Sequence, residues 1–405
     1  MIADLGHASP RWVGYANALN ALGIEIHIFT PKMSRGQSKF LGIQLHSGIK
    51  LHQSVSYKMS YKMMSHLNPI SRRLTVLLGN RFTNHGRSFT GDFQEKQLDL
   101  VKAWRTEIAG VIAKIREPQV DEILISSSSP FDCHVIGSSL AQEFNLYWFP
   151  DYRDLHALNH NLPSVDQDVL LIEQDVLTKA RGVITTSVSF SMKLKEITSN
   201  PVYVLRNGFE RIAEKTTLNR RKSRIVYTGQ IYPKSQNLSM FLDAIYEFNS
   251  SNTRNIDFYL YGTSSNLIHK YFVGRGGHIP SWVKLRREIP RAKSWRIQKN
   301  ANALLLFDWK DEGRGIPLTT KLYEYLSAAK PILLITENES SETISIIENS
   351  NSGLVCRSSL EIDSFLKRLS SDTLKFPIPN SEFIETLSFE FQAKLLLDWI
   401  KSQLD

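Results

Sequence analysis

The 405-residue chain has only two cysteines, Cys133 and Cys356. They lie in different halves without metal or redox spacing, so a disulfide framework is excluded and a reducing compartment fits. No run approaches the ~20 apolar residues that cross a bilayer, and the first residues lack the basic-then-apolar order of a secretory signal. A soluble or peripheral protein is expected. No Asp-x-Asp pair follows a predicted strand and no His or Cys cluster has ligand spacing, which favours a reaction with no metal and no cofactor. Gly-x-Ser-x-Gly, phosphate-loop and dinucleotide fingerprints are also missing, and with them the hydrolase, kinase and dehydrogenase readings.

The last absence is local. Residues 26–91 hold no Asp or Glu but ten Lys or Arg, within a net charge of +9. Such a block suits an anionic partner. Across 57–82 the cations alternate with Met59, Met63, Leu67, Ile70, Leu74 and Leu77, which favours an anionic membrane surface over nucleic acid. A solvated basic face over a core helix is the alternative. The expected location is cytoplasmic, peripheral on the inner face of the membrane.

What is present is an alternation of short β-rich runs with helical patterns, the mark of an α/β protein with parallel sheets. Strands are predicted at 24–30, 49–55, 123–127, 146–149, 183–186 and 202–205, then at 224–228, 256–261, 283–289, 303–307, 332–336 and 353–357. They make two doubly wound, Rossmann-like domains facing across a cleft, with 1–212 as the acceptor-side domain and 213–380 as the donor-binding domain. Apolar residues at helical spacing in 381–405 predict one closing helix that packs back on the first domain. The chain reaches the helix that Pro10 and Arg11 open so early that the first strand of domain one is expected to be missing.

Ligands of open α/β sheets bind at the carboxyl ends of the strands. Four segments fall there. In 225–234 a buried strand runs into Gly229, Gln230 and Lys234 ahead of a helix, a pattern suited to a diphosphate but common in α/β proteins. In 315–335 a loop leads to a short helix with Thr319, Thr320, Lys321 and Glu324. Glu324 falls outside capping-box spacing and needs a partner, for which Lys321 on the helix surface is the plain choice. Residues 126–134 place His134 near a helix start, facing the cleft, where a neutral imidazole meets a hydroxyl. Asp151 and Asp154 flank Arg153 after the next strand, either in a site or in a salt bridge that stiffens the loop.

In order and spacing these segments resemble the glycosyltransferase family 4 type of retaining sugar transferase, which has the two-domain GT-B fold. The resemblance rests on 319–326 with Lys330-Pro331, on 128–134, on 151–154, and on the Asn207-Gly208 turn before the second domain. It implies transfer of a sugar from a nucleotide-diphosphate sugar to a lipid-linked or oligosaccharide acceptor, with retention of configuration. Glu324 would then accept from the donor ribose and Lys234 would hold the diphosphate, in a donor site with Gly229, Gln230, Thr319, Thr320 and Lys321. His134 and Asp151 would stand at the reacting centre, with Arg11, Arg153 and Asp154 on the acceptor side. The chain departs from the family in Gln230, where an arginine is usual, in Ile316, where many members have a first glutamate, and in the missing first strand. A nucleotide-sugar epimerase of the same architecture and a catalytically impaired nucleotide-sugar-binding protein are the competing readings.

Overall fold

The structure is a computed structural model that describes residues 2–3, 9–32, 44–55, 91–117, 119–128, 130–159, 164–213, 223–252, 255–274, 276–311, 313, 315–371 and 375–404. The basic segment 57–82 lies outside the described residues. The chain divides into two compact units, one of Met1–Arg206 with Ala393–Asp405 and one of Asn207–Gln392.

In the first unit β1 (Ile2–Ala3), β2 (His27–Thr30), β3 (Lys50–Gln53), β4 (Ile123–Ser128), β5 (Tyr147–Tyr152), β6 (Val183–Thr185) and β7 (Val202–Val204) alternate with α1 (Ser9–Ala21), α2 (Gly91–Ile115), α3 (Asp132–Phe144), α4 (Gln167–Leu177) and α5 (Val188–Lys195). The sheet is parallel, in the order β3-β2-β1-β4-β5-β6-β7. The strand expected to be missing is therefore present. It has two residues and sits at the centre, Ile2 opposite both Phe29 and Ser126, because one pair of ladder positions suffices to fill the gap between β2 and β4.

The second unit contains β8 (Arg224–Thr228), α6 (Leu238–Ser251), β9 (Asp257–Tyr261), α7 (Ser265–Val273), β10 (Val283–Arg286), α8 (Arg291–Lys299), β11 (Ala303–Phe307), α9 (Thr320–Ala328), β12 (Ile332–Ile335), α10 (Glu342–Ser350), β13 (Gly353–Cys356) and α11 (Ser359–Ser370). Its parallel order is β10-β9-β8-β11-β12-β13. Position follows composition. The wholly apolar β11 and β12 are buried along their length and pair in register in the interior of the sheet, where each Leu or Ile contributes about 2 kcal/mol by leaving water. The mixed strand β10 takes an edge. Both sheets reverse strand order at one point, between β1 and β4 and between β8 and β11, and the carboxyl ends there are where such folds seat ligands.

The division falls at Arg206, ahead of the boundary expected at 212. The predicted closing helix is two helices, α12 (Ser381–Glu385) and α13 (Phe389–Ser402). Between them Ser388 bridges Phe209 and the Phe389 N–H donates to the Phe209 carbonyl at 2.9 Å. That backbone pairing takes over where apolar spacing suggested an unbroken helix. Gly208 is required beside it, since a Cβ there would stand 2.7 Å from the Phe389 ring. From Ala393 on, α13 belongs to the first unit, with Trp399 stacked on Tyr203 and edge-on to Phe149.

Candidate active site

At the switch point of the second unit β8 ends on Thr228, and Gly229 turns the chain at φ +114°, a conformation other residues rarely adopt. The Gly229 N–H donates to the Tyr261 carbonyl at 2.7 Å. Gly262 lets the two backbones approach, because a Cβ on it would meet the Gly229 oxygen at 2.1 Å. The Ile231 and Tyr232 N–H groups donate to Ser264 and Gln236. Three amides of this loop are thus satisfied within the protein, and the positive charge expected of the loop comes from elsewhere.

It comes from Lys321. The bare face of Gly229 receives the Lys321 side chain so closely that a Cβ would lie 2.6 Å from its Cε and 3.2 Å from its Nζ. Nζ also stands 5.6 Å from the Tyr227 ring centroid, within cation–π range. Burial pushes the Lys321 pKa down, and the Glu324 charge offsets part of that shift. Thr319 caps α9, its hydroxyl accepting from the Lys321 N–H at 3.4 Å, and Thr320 is the first helical residue. At the other end of α9 Ala329 adopts a left-handed φ of 52° and Pro331 leads into β12, so the helix is short and its first turn stays fixed against β8.

Glu324, one turn along, finds partners other than the expected surface lysine. Its Oε1 pairs with Arg291 Nε at 3.4 Å, and its Oε2 accepts from Gln298 Nε2 at 3.2 Å. The carboxylate side chain keeps 22% of its exposure, enough for a ligand to reach it. Arg291 and Gln298 were not foreseen. Both lie on α8, where 291, 294 and 298 share one face, and a polar inner face leaves no trace in the apolar periodicity by which helices are read.

The other donor-side candidates spread out. Gln230 and Lys234 are exposed. Lys234 lines a recess of about 490 Å³ with Asn237, Lys270, Asp308, Lys310 and Glu337, and the lining includes none of Gly229, Lys321 or Glu324. There Glu337 accepts from Asn237 at 2.7 Å and stands 3.6 Å from Lys310. Ile316 is buried where a first glutamate would be sought.

In the first unit three of the expected site residues are buried. Asp151 is fully buried and accepts from Arg11 at 2.9 Å, Trp12 Nε1 at 2.6 Å and Ser127 at 2.8 Å. With its oxygens occupied and sealed from water it ties β5 to α1 and β4. Arg11, itself buried, also donates to the Arg206 carbonyl at 2.8 Å, so it braces the first unit from within. His134 is fully buried too, and its Nε2 has no hydrogen-bond partner among the described residues. Its Nδ1 is 2.8 Å from Ser126 Oγ, Phe131 meets it edge-on, Tyr152 lies 4.6 Å away, and burial lowers its pKa to about 3. That burial holds the imidazole neutral. Arg153 donates to the Ser128 carbonyl, and Asp154 is exposed.

No protein-family model matches the chain, and no curated protein matches its sequence. Solved structures do match over its full length. Anabaena Alr3699/HepE in complex with UDP and glucose is 10% identical with a TM-score of 0.62, and 99% of each chain is covered. The lipopolysaccharide outer core galactosyltransferase WaaB is 13% identical with a TM-score of 0.57, covering 99% of this chain and 98% of that one. UDP-GlcNAc 2-epimerase from Methanocaldococcus jannaschii is 11% identical with a TM-score of 0.54, over 99% and 98%. At such identities the likeness is one of fold, and the fold is the GT-B type of paired Rossmann-like units.

Proposed function

We propose that this protein is a glycosyltransferase that moves a sugar from a nucleotide-diphosphate donor to a saccharide or lipid-linked acceptor. The observation that carries the reading is the group at the β8/β11 switch point: Lys321 laid over Gly229, with the part-exposed Glu324 carboxylate one turn further along α9. An ammonium held at a tight glycine turn stabilises the charge that grows on a departing diphosphate, and a carboxylate accepts from ribose hydroxyls. UDP in HepE and galactosyl transfer by WaaB, proteins of the same fold, support it. The bond from the anomeric carbon to phosphate breaks as the acceptor oxygen bonds that carbon, and the acceptor proton passes to the leaving phosphate. Retention and independence of metal follow the family resemblance. Arg153 and the exposed Asp154 are the acceptor-side groups.

Among the described residues no helix is long and apolar enough to cross a membrane. We place the protein at the cytoplasmic membrane face through the basic segment 57–82. Unchanged sedimentation with and without anionic vesicles would remove that part.

The test is to incubate the protein, with and without membrane lipids, against a panel of nucleotide sugars and to measure released nucleoside diphosphate beside the identity of the donor sugar. Release for one donor, abolished in Glu324→Ala, is the expected result. Conversion of the donor sugar without release supports the epimerase reading, which the likeness to the archaeal epimerase favours. Nucleotide binding without turnover supports an impaired binding protein.

A further inference from the structure

We propose that Gln298 is a positioning residue of this site, holding the Glu324 carboxylate and the end of β8 in one fixed arrangement. The proposal rests on the nucleotide-sugar reading. α8 is one of the most polar helices of the chain, Arg-Ala-Lys-Ser-Trp-Arg-Ile-Gln-Lys, yet Gln298 is fully buried. Its Nε2 lies within hydrogen-bond reach of three oxygens from three elements, its two hydrogens serving Thr228 on β8 at 2.9 Å, Ser294 on α8 at 3.0 Å and Glu324 on α9 at 3.2 Å with one of them shared.

The carboxylate fixes the orientation of the amide, since a flipped group would set oxygen against oxygen at that distance. So oriented, Gln298 Oε1 is buried with no hydrogen-bond partner among the described residues. Leaving an acceptor unpaired is costly, and a leucine would fill the same space without that cost. The amide is therefore retained for what its nitrogen does. Thr228 is gripped twice, its hydroxyl by Gln298 and its N–H by the Tyr325 hydroxyl at 3.3 Å. This fixes the residue from which Gly229 turns toward Lys321.

The two partners of Glu324 differ in kind. The Arg291 contact joins side chains that are 35% and 22% exposed, and such a pair is weak and exchangeable. The Gln298 contact comes from a fully buried amide held by two further oxygens, and is the less exchangeable of the two. Ribose hydroxyls can replace arginine at Oε1 while Gln298 keeps Oε2, so the acceptor atom offered to the donor is set before it arrives.

Gln298→Glu and Gln298→Leu, with Glu324→Ala as reference, test this by titrating UDP, GDP and ADP calorimetrically between pH 6.5 and 8.5, with melting temperatures recorded alongside. The groups facing the new carboxylate pair are Arg291 on α8 and Lys321 and Tyr325 on α9. Two carboxyls at this distance share a proton at lower pH, when one donates to the other as the amide did, and repel once both ionise. Gln298→Glu is expected to bind the preferred nucleotide near wild-type strength at pH 6.5 and at least tenfold more weakly at pH 8.5. Wild type should change less than threefold, and Gln298→Leu should be weakened at least tenfold throughout. If both variants lose melting temperature but keep affinity at every pH, Gln298 is merely structural and the proposal is overturned. If Glu324→Ala also binds like wild type, or wild type binds none of the three, the donor-site reading itself fails.

Discussion

The carboxyl ends of the two sheets carry similar residues put to opposite uses. In the first unit the acid on β5 and the base on α1, Asp151 and Arg11, close on each other inside the protein with Trp12 and Ser127. In the second, Lys321 and Glu324 stay apart, one against a glycine and the other against partners that leave it part-exposed. A buried pair tolerates no vacancy, because either charge left alone is unsolvated. An accessible pair tolerates exchange. The same α/β frame thus seals one pair of charges as a strut and leaves the other part-exposed.

The comparison can be broken most forcefully at the strut. Asp151→Ala strands Arg11 and is expected to cost about 3–5 kcal/mol, read from the urea midpoint; an unchanged midpoint would mean that the pair does not hold the first unit together. Next comes Glu173, buried on α4, accepting from the Ala157 N–H at 2.8 Å and raised by burial from 4.5 to about 7. The folded state keeps this proton to higher pH than the unfolded chain, so stability falls as pH climbs from 4.5 to about 7. Glu173→Gln should remove that decline, a gain on the order of 3 kcal/mol at pH 8 relative to pH 4.5, measured by denaturation across pH. His134, depressed to about 3, acts with the opposite sign below pH 6.5 and is unaffected by the change.

On the receptive side the stability effects shrink and the binding effects grow. Gly229→Ala meets Lys321 and a φ of +114°, so about 1–3 kcal/mol of stability should go, together with nucleotide affinity in a calorimetric titration. Glu324→Ala should move the unfolding midpoint least, by less than about 1 kcal/mol, while weakening nucleotide at least tenfold. A large loss of stability there would make Glu324 a strut like Asp151.

Much of the frame was legible in the sequence. Continuous apolar runs such as 303–307 and 332–335 announce buried parallel strands because nothing else accommodates them. Local punctuation served as well: Pro331 marks the break between α9 and β12. Periodicity failed where a non-local backbone contact decided the matter. Spacing alone carried the closing helix through 386–388, while Phe209 broke it at Ser388. The two residues before β4 in the sheet were too few to register as a strand until β2 and β4 flanked them.

The candidate site was half legible for a related reason. Gly229, Lys321 and Glu324 stand in segments whose turn and helix signals are local, and these the sequence determined by itself, along with the two alternating α/β halves. Which charges face inward was decided only by the tertiary structure. Asp151 meets Arg11 across 140 positions, and Glu324 meets Gln298 across 26. A side chain's desolvation, and with it the difference between a strut and a site, depends on neighbours that chain folding brings from far away, not on the residues beside it.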